Sequence, residues 1–390
     1  MQWVWMLSAT QALCMSGSFL FILLGGIIGS ELAPTPGLAT LPLSVLIIGL
    51  AASVLPAGVL IRRLGRRVVF VISALAASLG CVAAGLGIQA ANFWVFCAAA
   101  LLLGANNAMV MQYRFVAVEY VAPGRASKAI AIVMSGALAA AWLGPEVAVR
   151  FADIVASAHY AGSFFVGSGI YALAAIILLL TPVAAGIADR DLRAPRPLAE
   201  IAMQADFRVA VLAALVSFAV MSFIMTATPI SMHVIDQHDE LATKRVIQAH
   251  LLAMYLPSLA SGWIIARFGA RPVIVAGTLM MATCVAIAAF AGHGVMHYTW
   301  ALVLLGLGWN LLFIAGTTLL THTYRPQERI QVQTLNDFMV FGAQAVTSLL
   351  AGVALATIGW QNLNLATLPL LAAVLLSLAF ASRRREAGQV

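Results

Sequence analysis

The side chains with the clearest capacity for chemistry are thioethers and an imidazole in the second half of the chain. Met221 and Met225 are four residues apart, and so are His250 and Met254. On an α-helix this spacing puts both members of a pair on one face, with Cβ atoms about 5–6 Å apart. Thioether sulfur selects Cu(I) over hard cations, and imidazole also suits copper. If neighbouring helices carry the two pairs, they indicate a soft metal site.

Ordinary packing accounts for the same residues, since methionine is a common filler of apolar helices. With 15 Met and 7 His in 390 residues, chance predicts roughly half of one Met pair and a quarter of one His–Met pair. Two facts raise the expectation of function. A histidine inside a membrane span is costly and is usually functional, and the two pairs fall on consecutive apolar segments.

Those segments belong to a chain that is composed for a lipid bilayer. It is 63% hydrophobic and 9% charged, whereas about 25% of the residues in soluble domains are charged. A span needs about 20 apolar residues. The sequence therefore predicts an all-α membrane protein with twelve transmembrane helices, at 3–29, 39–61, 68–89, 91–116, 128–150, 161–186, 207–235, 246–266, 272–292, 298–320, 330–357 and 364–382.

The longest polar stretch, IADRDLRAPRPLAEIAMQAD at 187–206, separates the sixth predicted span from the seventh. We therefore predict four parts. They are an N-terminal six-helix half, a cytoplasmic linker, a C-terminal six-helix half and a basic cytoplasmic tail, at 1–186, 187–206, 207–382 and 383–390.

Basic residues are concentrated on one side of this arrangement. The loops after even-numbered spans, together with the tail, hold 17 of the 21 Lys and Arg residues, and the other side holds three. The positive-inside rule then places both termini in the cytoplasm, and we expect a bacterial inner membrane. The same asymmetry explains the net charge of +7 without a nucleic-acid partner.

A repeat relates the two halves. GVLIRRLGRRV from Gly58 aligns with GWIIARFGARPV from Gly262, and the glycines Gly65 and Gly269 keep the offset of 204 residues. These loops resemble the signature loop of the major facilitator superfamily, which implies the major facilitator fold with two six-helix pseudo-repeats. The sequence departs from that signature because its acidic position holds Arg62 in one copy and Ala266 in the other.

The run from Met221 to Met254, with MTATPISMHV and QAHLLAMY, resembles the CcoA-like group within this superfamily. The resemblance implies a copper importer in which Met221, Met225, His250 and Met254 bind copper as cargo. Other members of the group are proposed to carry riboflavin, so the motif is compatible with a different solute.

Polar residues in the fourth span favour that alternative. Asn106, Asn107, Tyr113 and Arg114 would suit hydrogen bonding to a small organic solute, and ionisable residues within spans usually face a cavity. Arg114 is also explained by a structural pair with Glu119.

Two carboxylates are candidates for coupling transport to an ion gradient. Glu146 follows Pro145 near the end of span five, and Asp337 lies about two turns inside span eleven. Solvated positions at the helix ends would explain both equally well.

Several function classes find no support in the sequence. It has no Gly-x-x-x-x-Gly-Lys-Ser/Thr loop for ATP-driven transport, no His-Glu-x-x-His metal site, and no soluble domain to house an enzyme. We therefore expect a secondary transporter without cofactors that acts as a monomer in the bilayer on a metal ion or small molecule. A non-transporting membrane assembly factor is a third class, which predicts stable partners and no flux.

Overall fold

The structure is a computed structural model, and it describes residues 1–122, 126–181 and 196–387. Apolar runs become helices because a lipid-exposed backbone must satisfy its hydrogen bonds within one segment. The described part of the chain forms twelve spans. They are α1 Gln2–Leu32, α2 Leu41–Leu64, α3 Arg66–Gln89, α4 Phe93–Val110, α5 Ala126–Arg150, α6 Ala161–Leu180, α7 Ala205–Pro229, α8 Glu240–Tyr255 with Ser258–Phe268, α9 Ala270–Phe290, α10 Val295–Thr321, α11 329–358 and α12 360–387.

The last two spans form a continuous apolar stretch of 52 residues, Gln331–Ser382, which is about twice the length of one span. Gly359 divides it, because its backbone (φ 75°, ψ 174°) is not helical. With that division the predicted count of twelve spans and the all-α fold class are confirmed.

Two spans are not the continuous helices that were predicted. The predicted span 91–116 stops at Val110, and a turn separates it from the short helix Tyr113–Glu119. The predicted span 246–266 begins earlier, at Glu240, and bends by 43° between its two helices. Pro257 occupies that bend, because proline cannot donate to the helical hydrogen-bond ladder.

The matched loops have matched backbones. Gly65 has φ 80° and ψ 151°, and Gly269 has φ 82° and ψ 159°. Positive φ of this kind suits glycine because it has no Cβ. The repeat seen in the sequence is therefore also a repeat in backbone conformation, at the turn from the second to the third span of each half.

The two faces of the bundle are named here by the chain ends. The terminal face carries both ends and the Gly65 and Gly269 turns, and the distal face is the opposite one. Within the predicted linker, 182–195 lie outside the described residues, as do 388–390 of the predicted tail. The described end of the linker forms the short helix Leu198–Ala202.

That end of the linker is fixed to the C-terminal half at the terminal face. Both carboxylate oxygens of Glu328 accept from the Arg196 guanidinium, at 2.8 and 2.7 Å. Glu328 is fully buried, and the Arg196 guanidinium lowers the pKa of its carboxyl to about 2. This charge-assisted bidentate geometry holds the linker against the α10–α11 loop.

The halves meet near the distal face. The Ser44 hydroxyl of α2 lies 3.0 Å from that of Ser348 on α11, and the Thr226 hydroxyl of α7 lies 3.3 Å from it. Gly352 leaves no room for a side chain, since a Cβ there would lie 2.3 Å from the Thr40 hydroxyl. The bundle is therefore closed at its distal end by contacts between the halves.

Candidate functional site

A cavity of about 250 Å³ lies between the two halves. It is on the terminal side of the distal contacts, and helices of both halves line it. The central spans α1 and α7 carry much of its wall, and 83% of the residues in their apolar windows are buried. Substrate sites of transporters built from repeats lie at such an interface near the bilayer midplane.

All four residues of the predicted metal set, Met221, Met225, His250 and Met254, line this cavity. Close packing of α8 on α10 places the second pair, because a Cβ on Gly306 would lie 2.7 Å from the His250 carbonyl oxygen. The Asn310 amide donates to the Met254 carbonyl at 2.7 Å, which fixes the register of the two helices.

The His250 ring has one nitrogen committed to the protein. Nδ1 lies 2.8 Å from the carbonyl oxygen of Leu302. A carbonyl can only accept, so Nδ1 carries a proton and a neutral ring has its lone pair on Nε2. Metal-binding histidines have this same arrangement. It is also suited to accept a hydrogen bond from an N–H or O–H group.

An aromatic wall, which the sequence analysis did not identify, lines the part of the cavity formed by the C-terminal half. Trp309 and Phe313 of α10 stack with ring centroids 5.4 Å apart. Phe218 of α7 makes edge contacts with both and with Phe341 of α11, at 5.0–5.5 Å, and Tyr255 adjoins Trp309 at 6.1 Å. The signal was present in Trp309 and Phe313, which are four residues apart, but the other rings come from helices distant in sequence.

The N-terminal half contributes polar groups instead. Asn107 of α4 lines the cavity and accepts a 2.6 Å hydrogen bond from the Ser18 hydroxyl of α1. Gln11 and Gln112 line it as well. Together these amides and hydroxyls form a surface that can both donate and accept hydrogen bonds.

Two of the predicted solute-binding residues lie outside the cavity lining. The Asn106 amide is fully buried and donates to Ser73 of α3 at 3.1 Å. Tyr113 is also fully buried, with its ring 5.0 Å from Phe70 in an edge contact. In this conformation both pack the N-terminal half together, and their predicted contact with a solute stays a prediction.

A pair of opposite charges lies in the cavity wall toward the terminal face. Arg114 of the short helix Tyr113–Glu119 and Asp337 of α11 both line the cavity, and they interact electrostatically across the halves. Asp337 also accepts a 3.2 Å hydrogen bond from the Asn336 amide. Glu119, the alternative partner considered for Arg114, pairs with Arg66.

Glu146 lies away from the cavity, in the distal contact between the halves. Its carboxylate accepts from the Lys244 ammonium of α8 at 2.8 Å, and Lys244 is only 10% exposed at its side chain. The Gln248 amide donates to the Trp142 carbonyl of α5 at 3.2 Å. These contacts tie α5 to α8 and must separate if the distal face opens.

Comparison with known proteins shows the family. A model described as Major Facilitator Superfamily matches residues 6–243 and 246–390. The riboflavin transporter RfnT of Brucella anthropi is 38% identical over 378 residues, which cover 95% of this chain and 94% of that protein. The MFS-type transporter YdeG of Bacillus subtilis (strain 168) is 27% identical over 359 residues, covering 88% and 83%.

Solved structures agree at the level of the fold. A bacterial homologue of the human lysosomal transporter Spinster, in an inward-facing and occupied conformation, superimposes with a TM-score of 0.76 at 15% identity, covering 97% of this chain and 96% of that one. These relatives are transporters, which confirms the prediction of a transporter and not an enzyme. The chain belongs to the Major Facilitator Superfamily.

Proposed function

We propose that this protein is a secondary transporter that imports riboflavin or a closely related planar solute. The observation that carries the proposal is the aromatic wall facing polar groups across one cavity, in a chain 38% identical over almost its whole length to a riboflavin transporter. Binding sites for such molecules are mostly apolar and aromatic, with a few placed polar groups.

The proposed cycle is alternating access by rocking of one half against the other. We place the terminal face in the cytoplasm of a bacterial inner membrane, because the basic loops lie on that side. The structure then corresponds to the state closed to the outside. One chain encloses the whole cavity, which supports a functional monomer.

Asp337 is the proposed coupling residue. Its carboxylate faces Arg114 across the cavity, so protonation or solute binding would change the attraction between the halves. For Glu146 we propose a different role in the same cycle, as half of an ion pair that holds the distal face shut and breaks when it opens.

Copper import is the second candidate function. Its support is that both thioether pairs reach one cavity and that His250 Nε2 carries a lone pair. In the described residues no three His, Cys, Asp or Glu side chains form a metal-binding group, so a copper site would depend on the methionines. The riboflavin relative favours the organic solute.

The two candidates separate in one experiment. Purified protein in proteoliposomes with an imposed proton gradient is given radiolabelled riboflavin or radiolabelled Cu(I), in parallel with empty liposomes. We expect saturable riboflavin accumulation and no copper flux above the empty control. Copper uptake without riboflavin uptake would overturn the proposal, and flux of neither would favour the assembly-factor class.

A further inference from the structure

We infer that the cavity binds its solute in one orientation, with a planar ring system in the C-terminal half and a polar, hydroxylated end in the N-terminal half. The ring donates a hydrogen bond to His250 Nε2. The inference rests on the proposed function for the class of solute. It adds which end of the solute each half recognises and which atoms select it.

The ring end is assigned by the distribution of aromatic side chains. Five of the six that line the cavity belong to the C-terminal half, on α7, α8, α10 and α11, and Phe19 of α1 is the sixth. Phe19 itself lies 6.0 Å from Tyr255, so it extends the same wall. Rings prefer offset or edge contacts at 4.5–7 Å, and a planar solute would continue the contacts that these side chains already make.

Two polar atoms in this region need partners that the protein does not supply. His250 Nε2 is an acceptor and Trp309 Nε1 is a donor, and neither has a hydrogen-bond partner among the residues that the structure describes. His250 is fully buried and Trp309 is 5% exposed, yet both line the cavity. An unmade hydrogen bond of a buried group costs about 1–3 kcal/mol, so a solute that satisfies these atoms is favoured over one that does not.

The separation of these atoms sets the size of the group that fits. Trp309 is level with Tyr255, five residues after His250, which corresponds to about 7.5 Å along α8. One small ring cannot reach both atoms, whereas a fused ring system can present an N–H to His250 and an acceptor to Trp309. The selected solute is therefore a fused heteroaromatic ring with at least one N–H.

The hydroxylated end is assigned by the opposite wall. Gln11, Asn107 and Gln112 of the N-terminal half line the cavity. The Ser18 hydroxyl already donates to the Asn107 carbonyl oxygen, so Asn107 presents its NH₂ group as a donor. Amide groups that donate and accept match a chain of hydroxyls.

The test measures equilibrium binding of four probes to the purified full-length protein. The probes are riboflavin, lumichrome (the ring system without the chain), ribitol (the chain without the ring) and riboflavin methylated at its ring N–H. For the wild type we expect lumichrome to bind within about tenfold of riboflavin and ribitol at least about a thousandfold more weakly. We expect methylation to weaken binding about tenfold, the size of one hydrogen bond.

Variants locate the contacts. His250→Phe keeps a ring but removes Nε2, and in this variant methylated and unmethylated riboflavin should bind equally. Trp309→Phe should weaken lumichrome and riboflavin alike, by about fivefold to tenfold. Trp263→Phe is the matched control, because that ring is 68% exposed on the outside of the bundle. If His250→Phe is not monodisperse, the methylated probe on the wild type still tests the hydrogen bond.

The outcomes separate this inference from the proposed function. Riboflavin transport with no effect of ring methylation, or with an undiminished methylation effect in His250→Phe, would overturn the inference alone. Lumichrome binding that depends on His250, in a protein that does not transport riboflavin, would overturn the proposed function and support the inference. If neither riboflavin nor lumichrome binds, both are wrong.

Discussion

The two halves of the bundle share a backbone but line the cavity with different chemistry. At the Gly65 and Gly269 turns their torsion angles agree within 8°, because any side chain other than hydrogen would be strained there. At the cavity the N-terminal half supplies amides, a hydroxyl and Arg114, while the C-terminal half supplies aromatic rings, thioethers, His250 and Asp337.

This contrast shows which features a repeat preserves. A turn that connects two spans has the same backbone requirement in either half, so it is retained. The cavity walls face one asymmetric solute, so each half can specialise for a different end of it. The predictions below test whether that division of labour is real, from the largest expected effect to the smallest.

The largest effect is expected where each half contributes a charge. Asp337→Asn leaves Arg114 without its opposite charge in the cavity wall, and removing one partner of a buried pair costs about 3–5 kcal/mol, or on the order of a hundredfold. Proton-driven accumulation in proteoliposomes should fall by that factor, while solute counterflow, which needs no gradient, persists. Asp206→Asn is the matched control, since Asp206 pairs with Arg271 inside one half. Wild-type accumulation by Asp337→Asn would rule out coupling at this carboxylate.

The next effect concerns the aromatic side of the comparison. Phe218 contacts three other rings of the wall, so Phe218→Ala should weaken binding of a planar solute about thirtyfold, equal to about 2 kcal/mol. Isothermal binding of riboflavin and lumichrome should show the same loss for both. Phe290→Ala serves as control because Phe290 is 76% exposed. A loss for riboflavin only would mean that the rings do not hold the ring system.

The polar side should respond in the opposite pattern. Asn107→Ala removes an amide that faces the cavity and should weaken riboflavin binding about fivefold, within the range of one hydrogen bond. Lumichrome, which lacks the hydroxylated chain, should bind as it does to the wild type. Asn362→Ala is the control, since Asn362 is exposed. Equal losses for both ligands would remove the distinction between the halves.

The sequence predicts the fold more fully than the site, for physical reasons. Spans and the repeat follow from local composition, and the Met and His pairs follow from helical spacing within one segment. The aromatic wall depends on how α7, α8, α10 and α11 come together, which no local pattern records. Asn106 and Tyr113 show the converse limit, because their residue types suit a solute but their side chains face Ser73 and Phe70 in this conformation.

The smallest effect on the organic solute is expected from the residues that first indicated chemistry. Met225→Leu with Met254→Leu keeps volume and apolar character, and such swaps usually cost less than about 1.5 kcal/mol in stability. Riboflavin uptake should stay within about twofold of wild type, because the thioethers act there as adaptable packing around a ring. Met296→Leu, at a position 60% exposed, controls for methionine replacement. If the double variant instead abolishes uptake of Cu(I) measured in the same vesicles, the C-terminal wall is a metal site, and the contrast between the halves becomes one between a ligand set and its polar surroundings.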